Sequence, residues 1–216
     1  TESLVNKWIE EKQLDITYIK QANAGKPAAH NTGVLNCHTE LFICLDSDDF
    51  LREDAIATIY TEWETVKHKK DIVGLAMLKA YEDGKLTGTY FPNNLEATSI
   101  YDLYEEHHFK GELALVFRTE IIKDYLFPIF NDEKFIGESV VYDLLSQHYK
   151  VKLINTAIYL CEYMEDGYSK NAVELYKRNP KGYVYYLNQR VRLTQNTSKY
   201  RRSIIQYITG CWRIGY

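Results

Sequence analysis

The chain has 216 residues, 45% of them hydrophobic and 26% charged, enough to bury one real core and too apolar for a disordered segment. No apolar run approaches the ~18 residues that cross a bilayer, and the four cysteines are scattered without a Cys-x-x-Cys pair, which argues against a disulfide framework or zinc knuckle and for a reducing cytoplasm. The formal charge of −4 hides an asymmetry: residues 1–174 hold all 30 acids and 17 basic residues, whereas residues 175–216 hold nine Lys and Arg and no acid.

Residues 2–13 read as an amphipathic helix with Leu4, Val5, Trp8 and Ile9 on one face. Residues 15–20 alternate like a strand through Ile16 and Tyr18. A polar loop containing Gly25 follows over 21–27, then a small-residue helix over 28–38. Next come a strand over 41–46, a helix over 52–68, a buried strand over 71–78, and a hairpin turn at Asp83-Gly84 with Lys85. A strand over 114–117 leads into a short helix; 139–148 reads as a helix and 151–163 as one or two strands. Helices over 181–193 and 199–213 close the chain. This order specifies an α/β fold of the doubly wound kind, with ligands expected at the carboxyl ends of the strands. Such domains usually open with a buried strand, and this chain opens on a helix. The expectation is a first strand–helix unit that is missing or supplied by another chain.

The densest chemistry lies in residues 41–49, Leu-Phe-Ile-Cys-Leu-Asp-Ser-Asp-Asp, where apolar residues suited to a buried, central strand run into three carboxylates. A buried strand tolerates such residues only at its end, because an unpaired buried carboxylate is heavily penalised. With a period of two, Asp46 and Asp48 project to the same side, and two such oxygen ligands suit a hard divalent cation, Mn2+ or Mg2+. An acidic helix cap accounts for the same pattern, with Asp49 capping a helix that starts near Leu51. Both readings stand on these residues alone.

Taken in order, the motifs resemble the family 2 glycosyltransferases of the GT-A fold. The stretch from Gln21 to Gly33 (QANAGKPAAHNTG) is similar to the family's loop and helix before the metal strand, and Asp46-Ser47-Asp48 falls at its Asp-x-Asp motif. Residues 111–118 (GELALVFR), Phe127-Pro128 and Glu133-Lys134-Phe135-Ile136-Gly137-Glu138 resemble acceptor-side segments, and Asp166-Gly167-Tyr168-Ser169 resembles the loop that closes the core. The resemblance covers residues 1–175 as a GT-A core lacking its opening unit. It leaves 176–216 as basic C-terminal helices beside a mixed sheet flanked by helices.

What the resemblance implies is a metal-dependent, inverting transfer of a sugar from a UDP- or GDP-sugar to a hydroxyl of a saccharide or lipid-linked acceptor, in cell-surface polysaccharide or glycoconjugate synthesis. Asp46 and Asp48 would hold Mn2+ or Mg2+ against the leaving diphosphate; Asn23, Lys26, Asn31, Asp46 and Ser47 would face the nucleotide sugar. Glu138 is the expected general base, standing where the family often has Glu-Asp; here Ser139 replaces the second acid. Glu112, Asp166 and Tyr168 are assigned to the acceptor side and the closing loop. Plainer roles stand beside these: a solvated loop lysine for Lys26, a half-buried helix residue for His30, an ordinary N-terminal helix carboxylate for Glu138 and a simple turn for Asp166 to Tyr168.

Other metal and phosphate chemistries fit less well. A haloacid-dehalogenase phosphatase wants Thr or Val where Phe50 stands, an EF-hand loop wants a Gly and a closing Glu, and His30, Cys37 and His38 lack zinc spacing. The second functional class is a non-catalytic binding module whose basic, aromatic tail meets an anionic partner. A membrane surface reached through 181–216 fits that role, and nucleic acid is not the expected partner. The apolar run 203–212 (SIIQYITGCW) also suits a second copy of the chain or the chain's own core. The expected location is the cytoplasm, at most peripheral to the inner face of the membrane.

Overall fold

A computed structural model describes residues 1–161 and 172–216. Helix α1 (Glu2–Glu11) ends where Lys12 turns left-handed, and no residue of it is buried. Helix α2 (Lys26–Asn36) starts with Pro27 in its first turn, where a missing N–H costs nothing. Strands β1 (Leu41–Ile43) and β2 (Phe50–Leu51) precede helix α3 (Ala55–Glu64) and the long strand β3 (Ile72–Tyr81). Strand β4 (Ala97–Thr98) runs into helix α4 (Ile100–Glu105), whose cap is the Ser99 hydroxyl accepting the Asp102 N–H. Strand β5 (Leu113–Arg118), helices α5 (Thr119–Ile122) and α6 (Ser139–Leu145), and strand β6 (Lys150–Cys161) complete the layered part. Helices α7 (Ala172–Arg178), α8 (Pro180–Thr194) and α9 (Tyr200–Ile214) follow.

The strands form a mixed sheet in the order β1-β5-β3-β6-β2, with β4 also on β6. Only β3 and β6 run parallel; every other pairing is antiparallel. Strand β3 is buried on both faces, as its unbroken apolar run requires. Leu75 and Met77 pack with Ile59 and Trp63 of α3 on one side. Val73 and Leu78 pack with Val140, Val141 and Leu145 of α6 on the other. At Gly74 a Cβ would lie 1.9 Å from the Val116 carbonyl oxygen, so the close approach of β5 demands glycine there.

Several expectations are corrected. Residues 15–20 are extended but pair with no strand among the described residues, so the alternation of Ile16 and Tyr18 yields no sheet element. Strand β1 ends at Ile43 and lies at the edge of the sheet rather than its centre. Asp49 caps no helix: β2 intervenes because the Phe50 and Leu51 backbone pairs with β6, and α3 begins only after Asp54. Residues 97–105 carry elements that the hydrophobic pattern did not mark, although Ser99-x-x-Asp102 is their sequence signal.

The basic tail finds much of its anionic neighbour inside the chain. Arg190 of α8 donates to Asp143 of α6 and to Glu105 of α4, both at 2.8 Å, with its guanidinium near the Tyr101 and Tyr186 rings. Arg202 meets Glu105 at 3.2 Å, and Lys199 meets Asp102 and Glu106. The Asp143 side chain is only 3% exposed, and burial pushes its carboxyl above the ordinary value despite Arg190. Removing Arg190 therefore strands a buried charge. Arg190→Ala is expected to lose about 3–5 kcal/mol of stability in urea unfolding, and Arg190→Leu with Asp143→Leu clearly less. A single variant within about 1 kcal/mol of wild type would show the ion pair to be dispensable.

Candidate active site

The cleft is assembled from loop ends. Before α2, the Asn23 side chain accepts the Gly25 N–H at 3.1 Å, and Gly25 takes φ +86°. A Cβ on Gly25 would lie 1.9 Å from the Lys134 carbonyl oxygen, so this backbone conformation and this contact both require glycine. The result places Lys26 at the mouth of the cleft. Its Nζ lies 2.9 Å from Asp46 Oδ2 and 3.2 Å from Glu138 Oε1. Burial works against the charge on Lys26, but Glu138 and Asp46 outweigh it and hold the ammonium's pKa above the ordinary lysine value.

Asp46 is positioned from across the sheet. Its backbone N–H donates to the Tyr159 hydroxyl of β6 at 2.9 Å, and the same hydroxyl bonds the Asp49 carboxylate. Tyr159 thus staples the two ends of the acidic turn, while Ser47 and Asp48 between them are exposed. Lys79 of β3 lies over the Tyr159 ring at 4.0 Å and pairs with Glu112 at 3.4 Å. Glu112 therefore reaches the cleft only through Lys79. Tyr159, Lys79 and Tyr142 went unmarked in the sequence because each sits inside an apolar run that signals core.

Glu138 precedes α6 but makes no cap bond with its side chain. The carboxylate instead turns inward, taking Lys26 on one oxygen and the Tyr142 hydroxyl, at 3.3 Å, on the other. Burial, then Glu138, drives the Tyr142 pKa well above its ordinary value, so the phenol stays a donor. The C-terminal helices hold this segment on both sides. Asn179 Oδ1 accepts the Lys134 and Phe135 N–H groups, Glu133 accepts the Lys181 and Gly182 N–H groups at the start of α8, and Gln189 donates to the Val140 carbonyl.

The cleft measures ≈ 420 Å³, part of it open to solvent, and is lined by Lys26, His30, Asp46, Lys79, Glu138 and Tyr159 among others. Asn31 is placed as a strut rather than a ligand: its amide donates to the Phe127 carbonyl and accepts the Phe127 N–H, both at 2.9 Å. Asn23 likewise serves the loop. Asp166 and Tyr168 lie outside the described residues.

Among the described residues no three His, Cys, Asp or Glu side chains form a ready-made metal cluster. The donor set still fits Mn2+ or Mg2+, because such ions take one or two carboxylates and complete their shell with substrate phosphates and water. Asp48 is exposed and has no partner among the described residues, and Asp46 keeps one oxygen clear of Lys26.

A mixed sheet with an acidic turn after β1 and a carboxylate facing it from α6 defines a GT-A type fold. The chain belongs to glycosyl transferase family 2, whose model matches residues 1–126. That match contains Lys26, Asp46 and Asp48 and stops short of Glu138. Glycosyltransferase GlyA of Streptococcus pneumoniae serotype 4 (strain ATCC BAA-334 / TIGR4) is 29% identical over 168 residues, covering 71% of this chain and 23% of that protein. The crystal structure of S. aureus TarS 1-349 superimposes with a TM-score of 0.62 at 12% identity, over 98% of this chain and 58% of TarS 1-349. The same TarS segment in complex with UDP gives 0.53 at 13% identity, over 98% of this chain and 59% of that one. These structures establish the shared fold, and the chain spans only part of each relative.

His30 yields a pH test. It sits edge-on to the Phe42 and Phe127 rings with Nδ1 buried and unbonded. Burial lowers its pKa, with Glu138 opposing and Lys26 assisting. Below about pH 6.5 the unfolded chain takes up a proton that the folded chain resists, so stability falls as pH drops through that window. The wild type is expected to lose more stability than His30→Leu between about pH 7.5 and 5.5 in chemical unfolding. Parallel pH profiles would remove His30 from that role.

Proposed function

We propose that this chain carries out glycosyl transfer from a nucleoside-diphosphate sugar to an acceptor hydroxyl, with inversion at the anomeric carbon. The observation that carries the reading is the Lys26 ammonium, bound to Asp46 of the acidic turn and to Glu138 across the cleft. One point thus joins the side that neutralises a leaving diphosphate to the side that takes a proton. Family membership supports the donor class, and the UDP complex of TarS supports a uridine nucleotide as the first to test.

In this mechanism Glu138 accepts the proton of the acceptor hydroxyl, whose oxygen bonds to the anomeric carbon as the bond to the nucleoside diphosphate breaks on the opposite face. Tyr142 orients the carboxylate through its second oxygen. Lys26 has three N–H donors, two of them engaged by Asp46 and Glu138, and the third is available to a phosphate oxygen. Asp46 and Asp48 would hold Mn2+ or Mg2+, which when bound supplies positive charge against the departing diphosphate. Lys79 and Glu112 form the polar wall on the acceptor side. A saccharide or lipid-linked acceptor, in surface polysaccharide or glycoconjugate synthesis, fits this open-sided cleft. The four free cysteines and a nucleotide donor fit a cytoplasmic site of action.

The test needs no known acceptor, since released UDP or GDP can be measured across a panel of UDP- and GDP-sugars. Glu138→Gln is expected to keep Mn2+-dependent thermal stabilisation by UDP or GDP while release falls by about 10²–10⁴. Asp48→Ala is expected to lose the metal-dependent part of that stabilisation. Near-normal release by Glu138→Gln would remove it as the base; unchanged stabilisation in Asp48→Ala would remove the metal role.

A further inference from the structure

Helix α9 has one satisfied face and one that is not. Ser203, Gly210 and Cys211 are buried, and Gly210 packs so tightly that a Cβ there would lie 2.6 Å from the Leu187 side chain of α8. On the opposite side Ile205, Ile208 and Trp212 are 60%, 60% and 83% exposed. Their spacing of three and four residues puts them in one stripe along the helix. Arg201 continues the stripe one turn earlier, and Arg213 adjoins Trp212.

The charges decide what this stripe suits. Arg190, Lys199 and Arg202 are taken up by core acids. Arg201 and Arg213 have no carboxylate partner among the described residues, and residues 175–216 contain no acid that would repel an anionic surface. The other exposed apolar helix differs. On α1, Leu4, Trp8 and Ile9 share their helix with Glu2, Glu10 and Glu11, so its charge is mixed. Among the described residues no helix is long and apolar enough to cross a membrane.

We propose that α9 docks the Ile205, Ile208 and Trp212 stripe into the headgroup region of an anionic phospholipid surface, with Arg201 and Arg213 on the lipid phosphates. The helix lies flat: its inner face stays on α8 and only the outer stripe enters the lipid boundary. Isoleucine side chains leave water there, and an indole ring suits a boundary that is apolar on one side and wet on the other. Arginine adds the preference for anionic over zwitterionic lipid, and that part weakens with salt. This inference stands independently of the transferase reading.

The experiment is co-sedimentation of the purified chain with vesicles of phosphatidylcholine alone or mixed with phosphatidylglycerol. Binding is expected only to the mixed vesicles, falling as salt rises. The variant Ile205→Ser/Ile208→Ser/Trp212→Ser is expected to bind at least about tenfold more weakly. Arg201→Gln/Arg213→Gln is expected to lose most of the salt dependence, and Leu4→Ser/Trp8→Ser to bind as wild type. These positions are exposed, and unchanged thermal unfolding of each variant checks that the fold is retained. Failure of the wild type to sediment with anionic vesicles at low salt, or equal binding by the triple variant, overturns the proposal. A concentration-dependent dimer in sedimentation velocity that the triple variant abolishes, without vesicle binding by the wild type, assigns the stripe to a second copy and also overturns it.

Discussion

Arg190 holds together the parts of this chain that matter most. Its guanidinium joins α8 to Asp143 on α6 and to Glu105 on α4, in a place where none of the charges has enough water to stand alone. Helix α6 begins at the residue after Glu138, so whatever fixes α6 also fixes that carboxylate. The same tail grips the approach to Glu138 through Asn179 on the Lys134 and Phe135 N–H groups, and through Glu133 on the start of α8. The C-terminal helices are therefore part of the active-site scaffold. A chain cut after β6 would keep the sheet and lose the clamp on its candidate base.

The second constraint is Lys26. Asp46 and Glu138 come from segments far apart in sequence, and each is drawn to one ammonium whose charge they stabilise against burial. Like charges that converge on a cleft repel until something positive separates them. Here Lys26 does so, and its position follows from Gly25, whose backbone no other residue adopts without strain and whose missing Cβ admits the Lys134 carbonyl. Gly25 thereby packs directly against the segment that leads to Glu138. The donor side and the acceptor side share this one contact.

Much of this was legible in the residues. The strand ending in Asp46-Ser47-Asp48, the glycine loop before α2 and the Glu138 helix start all have local signatures, and the helices over 180–194 and 200–214 were visible from their apolar periodicity. What was not legible depends on partners distant in sequence. Residues 15–20 alternate as a strand does, but alternation makes a strand only where another backbone pairs with it. Asp49 has the composition of a helix cap, yet it is held by Tyr159 from β6, a contact that only the sheet order creates. Asn31 looks like a ligand because its amide is polar and near a helix start; the Phe127 backbone takes both ends of it.

The tail shows why net charge alone misdirects. A segment with nine cations and no acid reads as an advertisement for an external anion. The structure divides those cations by burial. Those facing inward, Arg190, Lys199 and Arg202, meet acids on α4 and α6 that would otherwise repel one another along the same surface. The excess of acids in the body and of bases in the tail is thus largely one interface written in two places. The charge still available to an outside partner is that of Arg201 and Arg213, together with residues such as Arg192 on other faces. On α9 these charges lie beside the only large apolar side chains that the helix leaves in water. Charge that is paired inside the fold adds rigidity, while unpaired charge beside exposed isoleucine and tryptophan marks a surface that something else covers.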